Sequence, residues 1–283
     1  MIDPSFLYQL DAFKLALKKK TNAKFKGEQE SRLTGEGLLF KEYKEYAPGD
    51  DIRYIDWKIY ARTDKLFIKK FEEEKNLTFH ILVDSSNSMN FGKEMKFEYA
   101  AKIGLGIAYL AMKENMKFEF SLFSNTFETL CTRQLKPNVV TMIDRLNKSK
   151  PTGDTEFEKV LGGYNKRISS KSLIIIVSDF LFELAELEDV MSKLKRNDIL
   201  LIQVLSEKER RLLYEGDSIL KDSETGSLLH TYISQRLRKN YLEELQVHIQ
   251  QIEQVAKRQG SNFLSTTTSV PFFDTFYTIF RML

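Results

Sequence analysis

Charge of one sign is what this sequence most lacks. Its 43 lysines and arginines nearly cancel 40 aspartates and glutamates, leaving a formal +3 over 283 residues. Nothing in the overall field therefore draws the chain to nucleic acid or to a membrane surface. Cysteine is scarcer still. The lone Cys131 excludes an internal disulfide, fits a reducing compartment and reads as a small buried hydrophobe. Three histidines, His80, His230 and His248, stand singly, which excludes a metal pair of the H-E-x-x-H kind. No uninterrupted apolar run approaches the roughly 20 residues of a membrane span. The opening MIDPSFLYQLDAFKLALKKK sets apolar residues at 6, 7, 10, 13 and 17 among charges, which is the pattern of an amphipathic helix and not of a signal peptide. The expected setting is soluble and cytoplasmic.

What is present is the composition of a folded protein, 42% hydrophobic and 29% charged, in a chain long enough to bury a sizeable core. The basic stretch KKKTNAKFKGEQE reads as a solvated loop or a nucleic-acid patch, and residues 36 to 75, broken by APGDD, read as an irregular β-rich segment. From Leu77 the pattern turns regular. Strand-like runs at 77–83, 117–123, 172–178 and 199–205 alternate with helix-length segments near 95–114, 138–148, 156–169 and 184–196. The runs LIIIV and ILLIQVL are nearly unbroken, as in strands covered on both faces. The expected fold class is α/β, a doubly wound, mostly parallel sheet. GDSILKDSETGSLLHTYIS reads as an inserted β-hairpin near 215–233, followed by a charged helix over 234–258, a strand SNFLSTT and a closing helix from Pro271. The domain division expected is 1–75, helix plus β-rich attachment, and 76–283, the α/β domain.

Ligand sites in such sheets form outside the carboxyl ends of the strands. There the run ILVDSSNSMNFG places Asp84, Ser86 and Ser88, the LIIIV strand ends in Ser178 and Asp179, and the loop PTGDTEF carries Asp154 and Thr155. Oxygen donors without His or Cys suit a hard cation, Mg²⁺ before Mn²⁺ or Ca²⁺. A centre built mainly from uncharged hydroxyls leaves that cation keen for an anionic ligand in its open position. The alternative is that the serines cap the next helix and the aspartates make turns.

The set D-x-S-x-S with a later threonine and aspartate resembles the metal-ion-dependent adhesion site of von Willebrand factor A domains. The resemblance implies that Ser86, Ser88 and Thr155 ligate the metal directly, with Asp84 and Asp179 in the site mostly through water. The upstream block GEGLLFKEYKEYAPGDDIRYIDWKIYARTDKLFIKKFEEE, with DSETG in the hairpin, is similar to the signature of bacterial proteins of domain-of-unknown-function family 58. That resemblance implies a von Willebrand factor A-like domain, and an adaptor whose partner is a MoxR-type AAA+ ATPase in protein remodelling or maturation. Many relatives carry membrane spans ahead of the signature. Within the block, Trp57 reads as an anchor to the core or, with Arg53, Asp56 and Arg62, as a recognition surface.

No catalytic constellation is expected. GLG at 104–106 lies inside a helix pattern and suggests close packing, not a dinucleotide fingerprint. The enzymatic rival is a metal-dependent phosphohydrolase using Asp84 as nucleophile, but the position two residues on, where an acid/base carboxylate belongs, is Ser86.

Overall fold

A computed structural model describes residues 2–3, 5–13, 39–48, 50–52, 55–72, 77–92, 95–132, 138–153, 156–222 and 227–282. Thr155, Asp154, Arg53, the basic stretch around Lys18 to Lys20 and most of the DSETG turn lie outside them. The chain forms two compact units, residues 1–28 with 77–283, and residues 29–76.

In the smaller unit β1 (Leu39–Glu45) pairs antiparallel with β2 (Phe67–Glu72), the register shifting between Phe40 and Glu42. Between them runs α2 (Trp57–Thr63), whose N-cap Asp56 accepts from the backbone N–H groups of Lys58 and Ile59. The hydroxyl of Tyr43 donates to the same carboxylate at 3.0 Å. Trp57 is 63% exposed, so it does not anchor the segment. Its indole meets the Tyr60 ring edge-on and leaves the core to others.

The larger unit is built on six strands: β3 (Thr78–Asp84), β4 (Phe118–Phe123), β5 (Phe127–Thr132), β6 (Ser172–Ser178), β7 (Asp198–Leu205) and, later in the chain, Asn262–Thr267. Between the last two lies the expected hairpin, β8 (Gly216–Lys221) against β9 (Leu228–Ile233), so the sixth strand is β10. The sheet order is β10-β7-β6-β3-β4-β5. All neighbours are parallel except β5, which turns back on β4.

Alternation along the central strands sends side chains to two cores. Ile81, Val83, Ile175, Val177, Ile202 and Val204 enter one, with α3 (Lys96–Lys113), α4 (Val139–Lys148) and α9 (Phe272–Met282). Leu82, Ile174, Ile176 and Leu201 enter the other, with α5 (Phe157–Leu161), α6 (Leu184–Leu194) and α8 (Gln235–Arg258). Burial on both faces is why these strands read as unbroken apolar runs. The glycines of GLG serve packing, as expected. A Cβ at Gly104 would come within 2.9 Å of Phe120 and Val83, and one at Gly106 within 2.9 Å of Phe276, so α3 lies close to the sheet on one side and to α9 on another.

Two boundaries differ from the sequence reading. The first helix, α1 (residues 5–13), belongs to the large unit and not with the β-rich segment, because Phe6 stacks edge-on to Phe272 at 4.8 Å and Leu10 is fully buried. The expected helix over 156–169 is α5 followed by a short 3₁₀ turn at Tyr164–Arg167, broken at Gly162 and Gly163. Among the described residues, no helix is long and apolar enough to cross a membrane.

Candidate functional site

Strand β3 delivers Asp84 to the carboxyl edge of the sheet with its carboxylate wholly buried. Its Oδ1 accepts from the Ser86 N–H at 2.9 Å and its Oδ2 from the Ser178 hydroxyl at 2.6 Å. Ser178 ends β6, so one hydrogen bond joins the tips of adjacent parallel strands. After the turn that Asp84 makes, the Ser86 and Ser88 hydroxyls lie 3.0 Å apart. Of the alternative reading, the aspartate turns are present, since Asp84 and Asp179 accept from the N–H groups of Ser86 and Leu181, but the helix capping by the serines is not. Ser86 precedes only a 3₁₀ turn, Asn87–Met89, and makes no side-chain cap bond, while α3 starts after Met95. Two hydroxyls converge beside a buried carboxylate and stabilise no helix.

The third loop is zipped onto this one through its backbone. Thr152 N–H donates to the Ser85 carbonyl, and Asn87 N–H to the Gly153 carbonyl, each at 2.9 Å. Gly153 has φ +80°, and a Cβ there would meet the Asn125 side chain at 2.9 Å, so the close approach requires glycine. The structure thus brings Asp84, Ser86, Ser88 and Asp179 to one strand edge and lays the loop as far as Gly153 against them.

Asp179 is held differently. Its Oδ2 accepts from the Lys96 ammonium at 2.7 Å, its Oδ1 from the Leu181 N–H at 3.3 Å, and its carbonyl from the Gln203 amide at 2.8 Å. Phe180 follows in the left-handed region, φ +51°, a conformation that costs an aromatic residue on the order of 1–3 kcal/mol. It is pinned there: its N–H donates to Ser178 Oγ at 3.1 Å and its carbonyl accepts from His248 Nε2 at 2.7 Å. Lys96 also donates to Glu209 Oε1 at 2.6 Å. The other oxygen of Glu209 accepts from the backbone and hydroxyl of Ser206, closing a capping box on α7 (Glu207–Arg211).

Three carboxylates and one ammonium therefore share this edge. Burial, then the charge of Asp179, pushes Asp84 up to about 7 against the hydrogen bonds that favour its ionised form. Burial alone would lower Lys96, but Asp179 and Glu209 outweigh it and hold the ammonium above its ordinary range. Among the described residues, no three His, Cys, Asp or Glu side chains gather closely enough to hold a metal. A cation here needs hydroxyl donors. The donor chemistry of Ser86, Ser88 and the unneutralised Asp84 fits a hard cation.

Lys96, Glu209 and Gln203 escaped the sequence reading as members of this site, as did the bond from the Ser178 hydroxyl to Asp84. The legible signal was the phase of Lys96, which is in register with buried Ala100, Ile103, Gly104 and Ile107 along α3. A lysine on an apolar stripe asks for a buried partner.

With this geometry in place, comparison with known proteins places the chain in a family. The profile described as "Protein of unknown function DUF58" matches residues 42–251. The chain belongs to this family. This DUF58 chain is 22% identical over 272 residues to the uncharacterized proteins Mb1516 of Mycobacterium bovis and Rv1480 of Mycobacterium tuberculosis, covering 94% of this chain and 86% of theirs. Among solved structures it is similar to the conserved hypothetical protein BatB from Bacteroides thetaiotaomicron, at 16% identity, 73% and 98% coverage and TM-score 0.45. It is also similar to an aerotolerance-related membrane protein from Bacteroides fragilis, at 14% identity, 73% and 98% coverage and TM-score 0.46.

Proposed function

We propose that the larger unit is a von Willebrand factor A-like interaction module that binds an acidic side chain of a partner protein through Mg²⁺. Ser86 and Ser88, with Thr155 from the adjoining loop, are the hydroxyl donors, and Asp84 is the carboxylate beside them, with Asp179 at the same strand edge. The observation that carries the reading is the pair of converging hydroxyls that cap no helix, beside a buried carboxylate whose hydrogen-bond partners are all neutral.

The role of the chain's own residues follows from their bonds. Ser178 and the Ser86 N–H orient Asp84, and the backbone bonds from Thr152 and Asn87 hold the two loops edge to edge. When bound, the cation supplies an open Lewis-acidic position for a carboxylate, and Mn²⁺ or Ca²⁺ would serve in its place. From the family resemblance, the partner proposed is a MoxR-type AAA+ ATPase, with this chain as its adaptor. The phosphohydrolase reading is weaker: Ser86 stands where a second carboxylate is needed, and both oxygens of Asp84 accept hydrogen bonds from inside the protein.

Titration calorimetry with Mg²⁺ and Mn²⁺ tests the site. The wild-type chain is expected to bind, and Asp84→Ala, Ser86→Ala and Ser88→Ala to lose binding while keeping the fold. Unchanged binding in all three would end the metal reading. A co-purified ATPase complex that survives both EDTA and Asp84→Ala would end the metal-bridged adaptor.

A further inference from the structure

The two carboxylates at the sheet edge are not equivalent. Asp84 accepts only from neutral donors, the Ser86 N–H and the Ser178 hydroxyl. Asp179 has a cation of its own. The side chain of Lys96 is fully buried and its ammonium lies 2.7 Å from Asp179 and 2.6 Å from Glu209. Burying an ammonium is costly unless its charge and its protons are met. Here two carboxylates meet them, and one of these is itself locked by the capping box with Ser206.

We infer that Lys96 is the resident counter-cation of this edge: it withdraws Asp179 from the metal's donor set and ties it to α7, leaving the cation to Asp84 and the proposed hydroxyl donors Ser86, Ser88 and Thr155. This rests on the metal reading above and alters the ligand set that the family resemblance implies. Two facts support it. Both Asp179 oxygens are engaged within the protein, by Lys96 and by the Leu181 N–H. The backbone around Asp179 is fixed independently of any cation, by Gln203 at its carbonyl and by Ser178 and His248 at Phe180. Lys96 thus acts as a positioning residue that lowers metal affinity by keeping the Asp179 carboxylate engaged elsewhere.

The test is Mn²⁺ binding to the full chain, read by calorimetry and by the electron paramagnetic resonance of free Mn²⁺. In Lys96→Met, Asp179 is released as a donor, so Mn²⁺ should bind about tenfold tighter or more, roughly 1.4 kcal/mol. Lys96→Met/Glu209→Gln should behave alike, and keeps the test standing where the single variant leaves the half-buried Glu209 without its cation. Asp179→Asn in the presence of Lys96 should leave Mn²⁺ affinity within about threefold, because a non-donor is being changed. Equal or weaker binding in the Lys96 variants, or loss of binding in Asp179→Asn, would overturn the inference. If wild type shows no binding, its appearance in the Lys96 variants supports the inference and its absence there overturns it. Failure of the metal reading is separately visible as Mn²⁺ binding that ignores Asp84→Ala and Ser86→Ala.

Discussion

Strand β3 carries two buried polar networks four residues apart, and they follow opposite rules. At His80, Nδ1 lies 2.8 Å from the Tyr164 hydroxyl, which donates to Glu119 at 3.4 Å, and Glu119 pairs with Arg167 at 3.3 Å. Arg167 in turn covers the Phe127 ring at 4.6 Å. Burial favours neutral His80 and a protonated Tyr164, so one carboxylate faces one guanidinium and the account closes. At Asp84 it does not close: Asp179 and Glu209 share the ammonium of Lys96, while Asp84 meets only the Ser86 N–H and the Ser178 hydroxyl. A polar network satisfied by its own members rigidifies a core, whereas one with a charge left over is where the proposed cation would complete the account.

The largest expected effect that sharpens this contrast is on Lys96. Replacing it by Met in the metal-free chain strands the buried Asp179 and the half-buried Glu209 and should cost about 3–5 kcal/mol in denaturant unfolding. A loss below about 1 kcal/mol would mean that the ion pair is incidental. Next comes the pH dependence of Asp84. Its folded-state value of about 7 lies above the ordinary carboxylate range, so the folded chain holds that proton more tightly than the unfolded chain. Its contribution is therefore full at low pH and is lost as pH rises to about 7, with a slope of at most about 1.4 kcal/mol per pH unit. Urea melts at a series of pH values should show that slope without metal, and Asp84→Asn should remove it and be the more stable chain at pH 8. The closed network should respond more modestly. Tyr164→Phe is expected to cost about 1–2 kcal/mol and to leave Mn²⁺ binding unchanged; a change in binding would join the two networks. Ser86→Ala should move stability least, within about 1 kcal/mol, while abolishing Mn²⁺ binding in the same calorimeter.

The α/β alternation was legible because each central strand buries both faces, and LIIIV and ILLIQVL admit few other readings. The hairpin and the packing role of Gly104 and Gly106 were legible for similar local reasons. β5 was not: FETLCT is short and mixed in polarity, and it becomes a strand by pairing with β4 as an antiparallel edge. The place of α1 was hidden too, since its amphipathic face says that it packs but not that Phe272 receives Phe6. Trp57 misled, because a large aromatic residue among charges favours burial on average and this one is exposed.

At the candidate site, the motif residues Asp84, Ser86 and Ser88 were readable because one turn at a strand end joins them, and Asp179 because a parallel strand must end at the same edge. Local pattern and period by themselves determine that much: the sheet, its edge and the oxygen side chains brought to it. Tertiary structure alone decided how those charges are shared. Lys96 comes from a helix, Asp179 from a strand end and Glu209 from a capping box, and electrostatic pairing depends on distance in space, which sequence separation does not encode.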